Sequence, residues 1–170
     1  MGRFVRVCIL LAVSSTLLVP VARAAGEGVT EEEIRAENRV LKLVNAYRVE
    51  SGLSALVAHT FLTREARKHN NYQANNGELS HDGFDERAQR IADEDGGIDP
   101  DKICENVASA QGYDQPGPVA KLVVRAWKKA KTKRACLLDD PFTKQSAGVG
   151  VEHRGGIWYV TFLGAHDTTP

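Results

Sequence analysis

Cysteine is scarce in this chain, three in 170 residues. That is too few for a fold stapled together by disulfides, and an odd number for a secreted protein. Net charge is missing as well, since 22 basic side chains meet 22 acidic ones, so no summed positive field exists to grip nucleic acid. Proline at 6 and glycine at 15 are ordinary, which excludes collagen-like, low-complexity and disordered chains. Long apolar runs are absent with one exception, Val7 to Val19. That run is well short of the roughly 20 residues a membrane-spanning helix needs. What is present is about one domain's length of chain, with a globular balance of 42% hydrophobic and 26% charged residues.

The single apolar run follows Arg3 and Arg6 and precedes Ala22-Arg23-Ala24, a small-x-small cleavage pattern. Residues 1–24 therefore read as a secretory signal peptide. No Cys follows the run at the cleavage point, so a lipoprotein anchor is not expected. Cutting after Ala24 removes three arginines and leaves a mildly acidic domain. Cys8 leaves with the signal, and Cys104 and Cys136 remain. In an oxidising compartment a disulfide between these two is the expectation. The protein is expected to be secreted or periplasmic, with no integral membrane segment once the signal is gone.

After a lead over 25–32, Thr30 and Glu33 have capping-box spacing and start a helix. Ile34, Val40, Leu41, Val44 and Tyr47 continue it at helical intervals, and Gly52 stops it. Leu53 to His59 reads as a connector. A second helix runs from Thr60 through Leu62, Ala66, His69 and Tyr72 to the turn signal Asn75-Asn76-Gly77. A shorter helix is expected around Asp85 to Ala92, followed by an acidic solvated loop over 93–101. That loop lacks calcium-loop spacing, with Gly97 where a ligand belongs and Ile98 where glycine is required. Gly117-Pro118 opens another helix with the apolar stripe Val119, Leu122, Val123, Ala126, Trp127 and Ala130. Its other face and exit carry Arg125, Lys128, Lys129, Lys131, Lys133 and Arg134. This is a charged solvent face, or a patch for an anionic lipid head or envelope polymer. Ala147 to Leu163, turning at Gly155-Gly156, reads as a β-hairpin with an aromatic final strand. Helices first and strands last predict an α+β layered domain with an antiparallel sheet.

Six segments in order carry a resemblance: Leu43-Val44-Asn45-x-x-Arg48 with Gly52-Leu53, Ser80-His81-x-Gly83-Phe84, Glu105-Asn106-Val107-Ala108, Trp127 before a basic segment, Gly148-Val149-Gly150-Val151, and the last aromatic strand. Together they resemble the bacterial branch of the CAP superfamily, which comprises cysteine-rich secretory proteins, wasp-venom antigen five and plant pathogenesis-related proteins. The resemblance implies an extracytoplasmic three-layer α-β-α sandwich over 33–166 with a central cleft. In many members that cleft holds two His and two Glu and sometimes a divalent metal. By position His81 matches the first His and Glu105 the first Glu. The second Glu falls on Ala130, the second His on Lys133, and Cys136 stands in the place of an Asn.

A catalytic zinc takes three protein ligands of His, Cys or carboxylate type, and a Lys ammonium has no lone pair to offer. The expectation is therefore no cofactor, with the family metal site absent or weak and Lys133 paired electrostatically with Glu105. The resemblance sets Cys104 and Cys136 on opposite walls of the cleft. A bond between them would contribute on the order of 3 kcal/mol; the alternative is a metal site of both cysteines plus His81. His69 is expected to be a partly buried packing residue, and His59, His153 and His166 surface residues. Ser80 beside His81 lacks a nucleophile-elbow context, and no catalytic residue is assigned. The function expected is a non-catalytic exported binding module, whose cleft around His81, Glu105 and Lys133 meets a small, lipidic or cell-envelope ligand. The alternative is a metal-assisted extracytoplasmic hydrolase. A monomer that binds no nucleic acid is expected.

Overall fold

Thr30 Oγ1 accepts the Glu33 amide while the Glu33 carboxylate accepts the Thr30 amide at 2.7 Å, and this closed box starts α1, Glu31–Glu50. The inward stripe is Ala36, Val40 and Val44, all fully buried, whereas Ile34 is exposed. The following elements are β1 (Val57–Ala58), α2 (Thr60–Asn76), α3 (Phe84–Asp95), β2 (Ile98–Gln111), α4 (Pro116–Lys129), α5 (Lys131–Leu138), β3 (Gln145–Arg154) and β4 (Ile157–Asp167). This computed structural model describes residues 28–138 and 145–167, with side chains to 165. The expected signal peptide over 1–24, Cys8, the start of the lead and the His166 side chain lie outside the described residues.

The sheet order is β1-β3-β4-β2. β4 runs antiparallel to both β3 and β2, while β1 pairs in parallel with β3 through Val57↔Ser146 and Ala58↔Ala147. The expected antiparallel sheet is thus mixed at one edge, and part of the expected connector is a strand. Side chains alternate across the sheet as the strand period demands. Ala147, Val149, Val151, Trp158, Val160 and Phe162 join α1 and α4 in one core, which also takes Trp127 and Leu137. Ile98, Ile103, Leu163 and Ala165 join α2 and α3 in a smaller one.

Two glycines let α2 lie directly on β3. A Cβ on Gly148 would fall 2.2 Å from the Leu62 and Thr63 backbone, and one on Gly150 2.4 Å from that of Ala66 and Arg67. No side chain fits there without lifting the helix. Beyond β1, α1 carboxylates serve the outer edge of β3, where Glu37 accepts the Val151 amide at 3.2 Å and Glu33 the His153 amide at 2.8 Å. Strand-edge amides are thereby satisfied by side chains rather than left open for another chain.

The motif pair Asn45 and Arg48 proves structural. The Asn45 amide bonds both backbone groups of Leu56, and buried Arg48 donates to Ser54 O, Leu137 O and the Gln145 side chain. These bonds tie the stretch after α1 to the end of α5 and the start of β3.

The region 93–101 corrects the sequence expectation. α3 continues to Asp95, and β2 begins at Ile98. Ile98 and Ile103 are buried on the small core, and a register shift between them accommodates Pro100. Proline is tolerated because β2 is an edge strand. The basic exit of α4 is itself a helix, α5, with Leu137 buried beneath it.

Candidate functional site

Glu105 projects from β2 with its side chain 2% exposed, a costly place for a carboxylate unless it is paired. The pairing comes chiefly from α3. Gly83 caps that helix at φ 66°, a conformation glycine adopts without strain, so the chain turns sharply from the His81 loop into the helix. One turn later Arg87 grips Glu105 Oε2 through Nε at 2.9 Å and Nη2 at 2.6 Å. Its Nη1 donates to the carbonyls of Asp82 and Gly83, both at 3.2 Å. The guanidinium thus fixes the acid and the loop together.

The other Glu105 oxygen accepts His81 Nδ1–H at 2.8 Å, from a ring that is 55% exposed. His69 on α2 stands behind, buried, with Nε2–H donated to Ser80 O at 2.8 Å and 3.8 Å from Glu105 Oε1. Burial lowers the His69 pKa below its ordinary value, outweighing the attraction of Glu105. His69 is therefore a neutral, packed donor, as its helix position suggested, yet it also borders the acid.

Lys133 lies across the cleft on α5. Its ammonium donates to Val107 O at 2.7 Å, and its carbonyl accepts from Asn106 Nδ2 at 2.8 Å. Burial lowers its pKa. The expected ion pair with Glu105 is corrected: the partner of Glu105 is Arg87, and Lys133 anchors α5 to β2. Cys104 and Cys136 are disulfide-bonded, Cα to Cα 5.7 Å, which joins the same two elements and disposes of the thiolate metal site. Between these walls is a cavity of about 400 Å³ lined by His81, Glu105, Asn106, Thr132, Lys133 and the two half-cystines. His81, Glu105 and Lys133 accordingly share one cleft.

This donor set does not suit a divalent cation. Both carboxylate oxygens are engaged, a guanidinium touches one of them, an ammonium stands where a second imidazole would be, and His69 Nε2 is committed to a carbonyl. Among the described residues no three His, Cys, Asp or Glu side chains are placed so that they could hold a metal ion. Ser80 Oγ accepts the Asp82 amide at 3.2 Å, a turn contact. His59 and His153 are half-buried at the surface: His59 pairs with Asp95 at 2.9 Å with its side chain 24% exposed, and the His153 ring stacks on Trp158 at 4.1 Å.

Arg87 escaped sequence reasoning. An arginine on an amphipathic helix reads as solvent-facing, and the signal that marked it was its place one turn into the helix that opens from the His81 loop.

A family model for CAP, the cysteine-rich secretory protein family, matches residues 41–163. The chain belongs to the CAP family. Solved structures similar to this CAP domain include an extracellular protein containing an SCP domain from Bacillus anthracis, at 22% identity and TM-score 0.63 over 83% of this chain and 45% of that one. An outer surface protein of Borrelia burgdorferi aligns at 18% identity and TM-score 0.64 over 82% of this chain and 96% of that one. A cysteine-rich secretory protein of Staphylococcus aureus aligns at 18% identity and TM-score 0.55, over 79% and 40% respectively. The CAP domain thus covers less than half of two of these three chains. At such identities the likeness shows the α+β fold. No curated protein matches the chain. No helix among the described residues is long and apolar enough to cross a membrane.

Proposed function

We propose that this CAP domain is an exported, non-catalytic binding module whose cleft between β2, α5 and the His81 loop holds a small or cell-envelope ligand. The observation that carries this reading is the engagement of both Glu105 carboxylate oxygens. Its two oxygens are held by Arg87 and His81, so the acid that would serve as general base or metal ligand acts instead as the centre of a rigid wall. A rigid, disulfide-tied cleft with an exposed imidazole is suited to preorganised binding. Export accords with the leader at residues 1–24 and with neighbours described as extracellular or outer-surface proteins.

A lipidic ligand is favoured by a second feature, a groove of about 460 Å³ between α1 and α4. Leu43, Ala46, Tyr47 and Val124 line it, with four cations, Lys121, Arg125, Lys128 and Lys129, and one acid, Glu50, around them. An anionic amphiphile matches that combination.

Native mass spectrometry of the processed protein tests the reading. A small non-covalent adduct is expected to survive purification and to be lost in His81→Ala if it sits in the cleft, or in Lys128→Glu if it sits in the groove. A hydrolytic activity abolished both by chelation and by His81→Ala would replace the binding reading with the metal-assisted hydrolase.

A further inference from the structure

A third pocket, of about 400 Å³, opens between α2 and α3, and its lining shares no residue with that of the cleft. That volume falls within the range of small-ligand sites, roughly 300–1,000 Å³. Tyr72 lines it and is 46% exposed, one of few large apolar side chains left open to solvent. The ring is held in place. His69 stacks beside it at an interplanar angle of 13°, with centroids 6.0 Å apart, and the Tyr72 hydroxyl donates to Asp82 Oδ2 at 3.3 Å. His69 is itself fixed through Ser80 O. An aromatic plate held this way loses little freedom when a ligand settles on it.

Three cations, Lys68, Arg87 and Arg90, face two acids, Asp82 and Glu86, in the wall. Glu65 holds Lys68 at 2.6 Å and Arg90 at 3.1 Å, and Glu105 holds Arg87. The three cations are thus committed to buried acids, and an anion entering here would have to compete with pairs already formed. A neutral ligand with many hydroxyl groups would not, because Asp82 and Glu86 offer carboxylate oxygens to its hydroxyls and Arg90 offers donors. A flat C–H face for the tyrosine and a hydroxylated edge for the rim describe a pyranose.

We propose that the α2–α3 pocket binds a neutral pyranose unit of a glycan, stacked on Tyr72 with its hydroxyl groups shared among Asp82, Glu86 and Arg90. The site is separate from the cleft and stands whether or not the cleft takes a ligand.

Isothermal titration of the processed protein with maltotriose, cellotriose and triacetylchitotriose tests it. Saturable binding of at least one is expected. Tyr72→Ala, at an exposed position, should weaken it about ten-fold or more, whereas Tyr72→Phe, which keeps the plate, should stay within about three-fold of the parent. His81→Ala should leave it unchanged, so failure here is distinguishable from failure of the cleft reading. Absence of binding by all three glycans overturns the proposal, as does a Tyr72→Ala variant with an unaltered melting temperature that binds like the parent.

Discussion

Along β4, Trp158, Val160 and Phe162 turn toward α1 and α4, while Thr161 and Leu163 turn toward α2 and α3. The first layer is filled with aromatic and branched apolar side chains, Trp127 tilted against Phe162 at 6.2 Å among them. The second has a smaller apolar core and a buried polar seam. Gln73 bonds Asn70 and Thr161, Thr161 bonds Asn70, and Arg87, Glu105 and His69 continue the buried polar groups toward the pockets. The difference teaches where each job resides: apolar packing fixes the sandwich, and directional bonds on the opposite face fix the site.

The largest expected effect lies in the apolar layer. Trp127 is fully buried, and Trp127→Ala should cost about 3–5 kcal/mol, the usual range for emptying an aromatic core site. Because Trp127 lines none of the three pockets, ligand affinity of the folded fraction should be preserved. Urea unfolding together with titration at low temperature checks both halves. A variant of normal stability, or one that folds but loses binding, would break the division between layers.

In the polar layer a single substitution should act differently from a paired one. Arg87→Met strands a carboxylate that is 2% exposed, a loss of about 3 kcal/mol, the low end for a broken buried pair. Adding Glu105→Gln removes the stranded charge and should recover at least half of the loss. If the double variant is no more stable than Arg87→Met, the pair is not what holds β2 to α3, and the contrast with the apolar layer weakens.

The two layers also differed in how well they could be read from sequence. α1 and α4 announced themselves through a capping box, a proline start and stripes of apolar residues, and β4 through seven consecutive strand formers from Ile157 to Leu163. Local propensity and tertiary packing agree there. β2 did not, because Ile98-Asp-Pro-Asp-Lys-Ile103 carries turn residues along an edge strand, and only its pairing with β4 makes it one. α5 was hidden by its charge. His81, Glu105 and Lys133 are picked out by position in a family pattern and line one cavity, but their partners are not legible in the sequence. That Arg87 rather than Lys133 meets Glu105 depends on the angle at which α3 leaves Gly83, and no local pattern encodes that angle.

Acid should separate the layers by the smallest but most selective effect. His69 is buried and its pKa is lowered by desolvation, so above about pH 6.5, the ordinary imidazole value, it is neutral in both folded and unfolded chains and contributes no pH dependence. As pH falls below that value the unfolded chain takes up the proton first, and the folded one resists until its own lower pKa. Across this window the unfolded state binds more protons, and stability must decline. Below the folded pKa the decline from this group ends. His69→Gln keeps a side-chain donor near Ser80 O but cannot titrate. Its loss of stability between about pH 7.5 and 5 should therefore be smaller than that of the parent, whereas Trp127→Ala should shift the whole profile downward without changing its slope. Equal slopes in the parent and His69→Gln would mean that the acid response arises elsewhere and that the α2–α3 face owes nothing to a neutral imidazole beside Glu105.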